Sequence, residues 1–371
     1  MVRAPRGSSS APTGSREAPG RREAQALSGS ARRDAEQGPA GEADARSSRL
    51  LRIGLSNEFG LAILIVLFGL VFSTLAQGFL SPFNQFALGR TAAINIMIGF
   101  SMMTVIVTGG LNLAVGAIGV SSAMVCGYLI ETFGLPWPVA IAGAVAVGAA
   151  LGFANGWMVV RSGLHSFIIT LATMSIFFGS MVFLTRAESF RNLPPVFAEF
   201  GRLRLLGWIS PLVGVAGLTG ALLVLLYRWT ALGREMLATG AKLEAAVLSG
   251  VRVGRTIMSC HALSGALAAV TALLVVARTG AAIPSMAGQL GQDWLLPGFL
   301  GPVLGGTLLS GGRVSVIGTF LGAALVAMLT NGLLLLKVGE FWVQTCLGLL
   351  LLLAVLVDKG RRAFLANRKM V

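Results

Sequence analysis

The sequence predicts an all-α membrane protein, a polytopic helical bundle of about ten transmembrane helices with both termini in the cytoplasm. Hydrophobic residues make up 55% of its 371 residues and charged residues only 12%, about half the charged share of a soluble domain. Its mean hydropathy is +0.80. A soluble chain of this length would need far more polar side chains to cover its surface, so lipid must be the main solvent of this one.

Residues 1–52 have a different composition from the rest of the chain. They hold 16 of the 44 charged residues, are rich in Ala, Gly, Ser and Arg, and contain no apolar run. Such a segment cannot bury a core, which predicts a disordered tail. Its ten arginines favour a cytoplasmic location. The predicted permease domain follows at 53–358, and a second basic cytoplasmic tail at 359–371.

The uncharged runs after the tail set the number of membrane crossings. A helix that crosses about 30 Å of hydrocarbon needs about 20 apolar residues. The run 91–130 is 40 residues long, so we divide it into two spans. The predicted spans are 59–76, 91–108, 114–131, 137–160, 167–185, 208–227, 256–277, 296–310, 314–335 and 341–357.

The distribution of Lys and Arg supports this orientation. With the N-terminus inside, the inner segments carry 22 of these residues and the outer segments seven. Without the tail the inner count is still 12, in line with the positive-inside rule. The net charge of +14 therefore orients helices. It indicates no nucleic-acid partner, because no basic face is interleaved with aromatic residues.

Small residues predict how the helices pack. Glycines recur four residues apart in the sets Gly148, Gly152 and Gly156, Gly301 and Gly305, and Gly318 and Gly322. In lipid no hydrophobic force drives helices together, so close backbone approach through small residues must supply the association. We therefore expect tight contacts along these faces.

The predicted spans contain no ionisable side chain near their centres. Proton-coupled carriers and ion pumps place carboxylates or histidines there. The sequence also has no Ser/His/Asp constellation, metal-ligand spacing or phosphate-binding loop. We therefore predict a transport subunit that is not an enzyme, that needs no cofactor or metal, and that takes its energy from a partner or a gradient.

Two glycine-rich breaks, 109–116 and 305–312, interrupt the apolar pattern. Irregular backbone at membrane depth is tolerated only where it faces protein or a water-filled path. Asn112 in the first break could offer an amide to a neutral polyhydroxy ligand. A tight turn between adjacent helices explains the same pattern equally well.

The longest basic inner loop, 228–255, contains a candidate docking element. Its Ala245–Ala246 pair favours a short helix after Glu244, and Gly250 can end that helix in the left-handed conformation. A short amphipathic helix with positive flanks is suited to docking a cytosolic partner.

These motifs resemble a known family. The E-A-A-x-x-x-G pattern at Glu244–Gly250 resembles the coupling motif of bacterial ABC importer permeases. The surrounding segments narrow the resemblance to the ribose-type sugar permeases of the branched-chain amino acid/ribose-type superfamily, over roughly residues 60–360. Those segments are Gly109–Gly116 (family G-G-I-D-L-S-V-G), Phe167–Met174 (family F-I-V-T-L-A-T-M), Leu304–Thr307, Ser310–Arg313 and Asn331–Trp342.

The resemblance implies a permease subunit of an ATP-driven, binding-protein-dependent importer in the bacterial inner (cytoplasmic) membrane. Such a subunit moves a monosaccharide or polyol by alternating access. The implied partners are a cytosolic ATP-binding cassette ATPase, a periplasmic or extracytoplasmic substrate-binding protein, a second permease copy or paralogue, and the lipid bilayer. The implied site residues are Glu244, Ala245, Ala246 and Gly250 for coupling to the ATPase, and Asn112, Thr173, Asn331, Trp342 and Gln344 along the translocation path.

The chain departs from the family pattern in three places. Asn112 stands where the family has Asp, Gln292–Pro297 stands where many members carry Leu-Asp-Ala-Ile-Ala, and the 52-residue tail has no counterpart. Branched-chain amino acids or nucleosides are an alternative cargo for the same importer class. A gradient-driven facilitator or channel is an alternative class, which the uncharged interior and the inner E-A-A loop disfavour.

Overall fold

Helices form most of the chain in the computed structural model, which describes residues 57–339, 341–353 and 356. The predicted tails 1–52 and 359–371 lie outside the described residues. Within the described part, extended pairing is limited to isolated bridges such as Phe190 with Ala282. The predicted all-α class is confirmed.

The helices are named here in chain order. They are α1 (Asn57–Leu75), α2 (Pro82–Ile106), α3 (Val115–Glu131), α4 (Trp137–Ser162), α5 (Ser166–Thr185), α6 (Pro195–Arg202), α7 (Pro211–Trp229), α8 (Ala231–Ala241), α9 (Leu243–Leu248), α10 (Val253–Thr279), α11 (Leu295–Leu304), α12 (Val316–Leu335) and α13 (Phe341–Leu353). An irregular 3₁₀ segment, Gln289–Trp294, precedes α11.

Seven of the described helices are long and apolar enough to cross a membrane: α1, α2, α4, α5, α7, α10 and α12. They correspond to seven of the predicted spans. The predicted third and tenth spans correspond to the shorter apolar helices α3 and α13.

The predicted second span was wrong about where its helix begins. α2 starts at Pro82 instead of residue 91, because the Ser81 hydroxyl accepts a hydrogen bond from the Asn84 N–H (3.3 Å) and proline suits the first position of a helix. Arg90 therefore lies inside α2 and not in a loop before it.

The predicted eighth span, 296–310, was too long. Its helix, α11, ends at Leu304, because the glycine pair that follows turns the chain and Gly306 adopts a φ of +82°. Ten helical residues rise about 15 Å, half the hydrocarbon thickness. α11 by itself therefore reaches only partway through a bilayer.

Contacts between distant segments define two ends of the bundle. At one end, here the α9 end, the start of α10 meets α8, where the Thr256 hydroxyl donates to Glu235 (3.4 Å). At the other, the Phe190 end, Phe190 pairs with Ala282 beyond the last turn of α10. α10 therefore runs the full height of the bundle and forms its centre.

The predicted glycine faces are in close contact with neighbouring helices. A Cβ atom built on Gly152 of α4 would lie 2.1 Å from the His261 carbonyl oxygen of α10, and one on Gly265 would lie 2.1 Å from the Gly148 carbonyl oxygen. The pair α11 and α12 repeats the arrangement, with Gly305 against Gly318. Glycine is required at these contacts because the backbones themselves touch.

Candidate functional site

The short helix α9 lies on the surface of the α9 end. Leu248 is 89% exposed and Leu243 and Val247 are more than half exposed, whereas Ala246 is buried. Glu244 and Ala245 are also exposed. An apolar, six-residue helix with almost nothing covering it has the character of a docking element.

Gly250 ends α9 as the sequence predicted. Its φ is +80°, and its N–H donates to the Val247 carbonyl (3.0 Å) while the Val251 N–H donates to the Ala246 carbonyl (3.0 Å). This pair of bonds is the Schellman motif, which satisfies the last carbonyls of a helix. The motif fixes the direction in which the chain leaves α9.

The helix before α9 rests on both glycine-rich breaks. A Cβ atom on Gly240 of α8 would lie 1.9 Å from the Val107 carbonyl oxygen, and one on Gly312 would lie 2.6 Å from the Ala241 Cα. The Gly312 N–H donates to the Val107 carbonyl (2.9 Å). Two breaks almost 200 residues apart thus touch each other and the back of α8. The sequence gave no sign of this contact.

The first break is held in place by side-chain hydrogen bonds. The Leu111 N–H donates to the Ser166 hydroxyl (2.7 Å) and the Leu113 N–H to the Thr170 hydroxyl (3.0 Å). Asn112 is fully buried; its amide nitrogen donates to the Ser264 hydroxyl (2.9 Å), and its oxygen accepts from the Ala114 N–H (3.2 Å). The irregular backbone therefore faces protein here, and Asn112 joins α3 to α10.

Thr173 belongs to the same neighbourhood as Asn112. It is buried, and its hydroxyl donates to the carbonyl of Thr170 (3.3 Å), the residue that supports the break. Of the five residues predicted along the translocation path, these two are brought together, and both are enclosed by protein in the described chain.

The other three predicted path residues lie elsewhere. Asn331 of α12 forms a reciprocal amide pair with Asn84 of α2, with both N–H···O distances 3.0 Å. Trp342 and Gln344 are exposed on α13. Their role in the path stays a prediction.

The Asn84–Asn331 pair provides a test of helix association. Replacing either residue with Ala leaves the other amide unpaired in an apolar setting, so the two single changes and the double change should be non-additive by about 1 kcal/mol. Unfolding free energies of the four variants in bicelles, measured by steric trapping, would give this coupling. Additive losses would show that the pair does not join α2 to α12.

A polar cavity of about 310 Å³ lies towards the Phe190 end. It is enclosed by α2, the last turns of α10, the 3₁₀ segment and the start of α11. Its polar lining consists of Asn95, Arg278, Thr279 and Asp293, with Trp294 and Pro297 among the remaining walls. We call it the Arg278 cavity. Amide, hydroxyl and carboxylate groups beside an aromatic ring are suited to a small polyhydroxy solute.

None of the predicted path residues lines the Arg278 cavity. Two signals in the sequence pointed to it: Arg278 as a charge at the edge of a span, and the departure from the family pattern at Gln292–Pro297. Linking them required knowing that the 3₁₀ segment folds back onto α3, where the Gly291 backbone packs on Gly116.

Comparisons with known proteins agree with this architecture. Residues 84–357 match the family described as "Branched-chain amino acid transport system / permease component". The chain is 35% identical to the ribose import permease protein of Bacillus subtilis (strain 168), over 82% of this chain and 92% of that protein.

Two further relatives are named for other sugars. The fructose import permease protein of Rhizobium meliloti is 32% identical over 81% of this chain and 84% of its own length. The D-allose transport system permease protein of Escherichia coli (strain K12) is 31% identical over 81% of this chain and 90% of its own length. No solved structure matched the chain significantly.

Proposed function

This chain belongs to the branched-chain amino acid transport system / permease component family, and from that premise we propose that it is the membrane-spanning subunit of a sugar importer. Relatives at 31 to 35% identity are named as ribose, fructose and D-allose permeases. We therefore assign a monosaccharide or polyol as cargo, in preference to a branched-chain amino acid or nucleoside.

The topology that fits this function is ten passes with both termini in the cytoplasm of a bacterium. The seven long helices supply seven passes, α3 and α13 two more, and α11 with the glycine-rich turn after it the tenth. The α9 end is then cytoplasmic, consistent with the excess of Lys and Arg in the loops on that side.

The observation that carries the proposal is the exposed helix α9 and its connection to the breaks. A cytosolic ATPase dimer that closes on ATP would move α9, and α8 would transmit the movement because Gly240 packs directly on Val107 and Gly312. Both breaks, and through Asn112 also α10, would shift together. Alternating access then needs no ATPase site in this chain.

The remaining partners follow from the same mechanism. A substrate-binding protein would deliver sugar at the Phe190 end, where the Arg278 cavity lies. A second permease copy or paralogue would complete the path. Since the binding protein selects the sugar, the permease itself needs only weak affinity.

Uptake in proteoliposomes tests this function. The permease would be reconstituted with its ATPase and binding protein, and uptake of labelled ribose, fructose and allose would be followed with ATP enclosed. We expect uptake only when all components and ATP are present. Equal uptake with the permease alone would make it a facilitator.

The end of α9 should matter for coupling. Gly250→Val places a β-branched residue at a φ of +80°, which costs about 1–2 kcal/mol. A Cβ atom there meets no other atom, so the cost is conformational only. We expect ATPase affinity to fall about tenfold for Gly250→Val and less for Gly250→Asn, which tolerates this conformation. Equal affinities for all three proteins, measured by surface plasmon resonance, would contradict the role of Gly250.

A further inference from the structure

Three arginines surround the approach to the Arg278 cavity. Arg90 lies one turn before Ile94 on the face of α2 that lines the cavity. Its guanidinium stacks on the Phe86 ring, with 4.6 Å between the guanidinium carbon and the ring centroid, and that of Arg204 stacks on the same ring at 5.0 Å. Arg278 is part of the cavity wall. We call this set the arginine rim.

The positive charge of the rim is not balanced by the described part of the protein. Arg204 and Arg278 are near enough to repel the charge of Arg90. Among the described residues no carboxylate lies within the 4.0 Å that defines an ion pair with any of the three. The Arg90 Nε atom is buried and has no hydrogen-bond partner. Three unpaired like charges cost free energy that a bound anion would offset.

The nearest acidic group belongs to the cavity itself. Asp293 lines the wall, but its carboxylate is packed against Gly288, where a Cβ atom would lie 2.4 Å from it. It therefore neutralises the rim incompletely and is placed to accept hydrogen bonds from hydroxyl groups. The cavity combines one end that favours negative charge with polar groups that suit a sugar.

The position of the rim favours a small anion over the surface of a partner protein. Arg278 lies in the wall of a recess, and Arg90 is partly buried against Phe86. A carboxylate on a folded partner reaches projecting arginines more readily than recessed ones. A solute of sugar size can enter a 310 Å³ cavity.

We propose that the solute passing through the Arg278 cavity is an anionic sugar derivative, whose carboxylate or phosphate group binds Arg278 while its hydroxyls meet Asn95, Thr279 and Asp293. Arg90 and Arg204 raise the local concentration of such anions at the entrance. This inference rests on the proposed import function and narrows its substrate class.

Equilibrium binding to the full-length permease in nanodiscs tests the proposal without any transport step. The probes are D-ribonate and D-ribose, which share a carbon chain and differ in charge, observed by saturation-transfer NMR at millimolar concentration and constant ionic strength. We expect a ribonate signal about fivefold stronger than the ribose signal. Arg278→Gln should bring it to the ribose level, whereas Arg278→Lys should retain most of it.

The control variant is Arg313→Gln, which removes an arginine at the α9 end and should leave the ribonate signal unchanged. Equal signals for the two probes, or a ribonate signal that persists in Arg278→Gln, would overturn the proposal. So would displacement of ribonate by inorganic phosphate at equal concentration, because the rim would then hold an adventitious ion only. Ribonate displaced by D-ribose 5-phosphate but not by inorganic phosphate would support it.

Two further outcomes separate this inference from other roles. If Arg278→Gln weakens binding of the substrate-binding protein while ribonate shows no preference, the rim is a protein docking surface and the proposal is wrong. If the ribonate preference is present but uptake does not depend on ATP, the import function fails and the anion site stands.

Discussion

Replacing Gly152 with Val is expected to abolish accumulation of folded permease in the membrane. The added Cβ would lie 2.1 Å from the His261 carbonyl oxygen, a backbone atom of the central helix α10 that cannot move without displacing its neighbours. Overpacking at a backbone contact of this kind costs about 3 kcal/mol or more, a large share of the stability of a typical protein. Detergent-solubilised yield and size-exclusion profile would measure the effect.

A matched control is available on another membrane helix. Gly179 of α5 is exposed, and a Cβ atom there would meet nothing within 4 Å, so Gly179→Val should accumulate normally. Both substitutions add the same side chain to an apolar helix. If Gly152→Val also gives normal yield and a monodisperse profile, α4 and α10 are not held together by backbone contact.

Replacing Glu244 with Lys is expected to lower ATP-dependent uptake by more than tenfold while the permease folds normally. Glu244 is exposed in the first turn of α9 and makes no contact that supports the bundle. Reversing its charge places a positive group between Lys242 and the other basic residues of this end, which should repel the partner surface that fits the native helix. Uptake and co-purification with the ATPase are the two measurements.

Two other changes separate partner repulsion from loss of α9. Glu244→Gln removes the charge that favours a helix N-terminus and should reduce coupling only moderately. Glu199→Lys reverses an equally exposed carboxylate on α6, away from the α9 end, and should leave the ATPase bound. Normal uptake by Glu244→Lys would show that α9 is not the coupling helix.

Some features could be predicted from local sequence because local geometry decides them. The glycine triplet of α4 lies on one helical face by its spacing alone, and that face meets α10 as expected. Gly250 ends α9 in the left-handed conformation because few other residues tolerate it. The uncharged runs located most helices within a few residues.

Other features depend on contacts between distant segments, which one sequence does not reveal. The start of α2 was placed too late because Arg90 was taken as a boundary, although its guanidinium is accommodated on Phe86. The Arg278 cavity is built from α2, α10 and the 3₁₀ segment, whose positions along the chain differ by almost 200 residues. The contact of the two breaks behind α8 is of the same kind.

The side of the membrane on which α9 lies is the most direct test of a permease driven from the cytoplasm. Leu248 is 89% exposed on α9, and Leu206, between α6 and α7, is 84% exposed towards the other end of the bundle. Each would be changed to Cys after Cys346, an exposed native thiol, is changed to Ser. A membrane-impermeant thiol reagent would then be added to right-side-out and inverted vesicles.

Import driven by a cytosolic ATPase predicts that Leu248→Cys reacts only in inverted vesicles and is protected when the ATPase is bound, whereas Leu206→Cys reacts only in right-side-out vesicles. Labelling of Leu248→Cys from outside intact vesicles would contradict it.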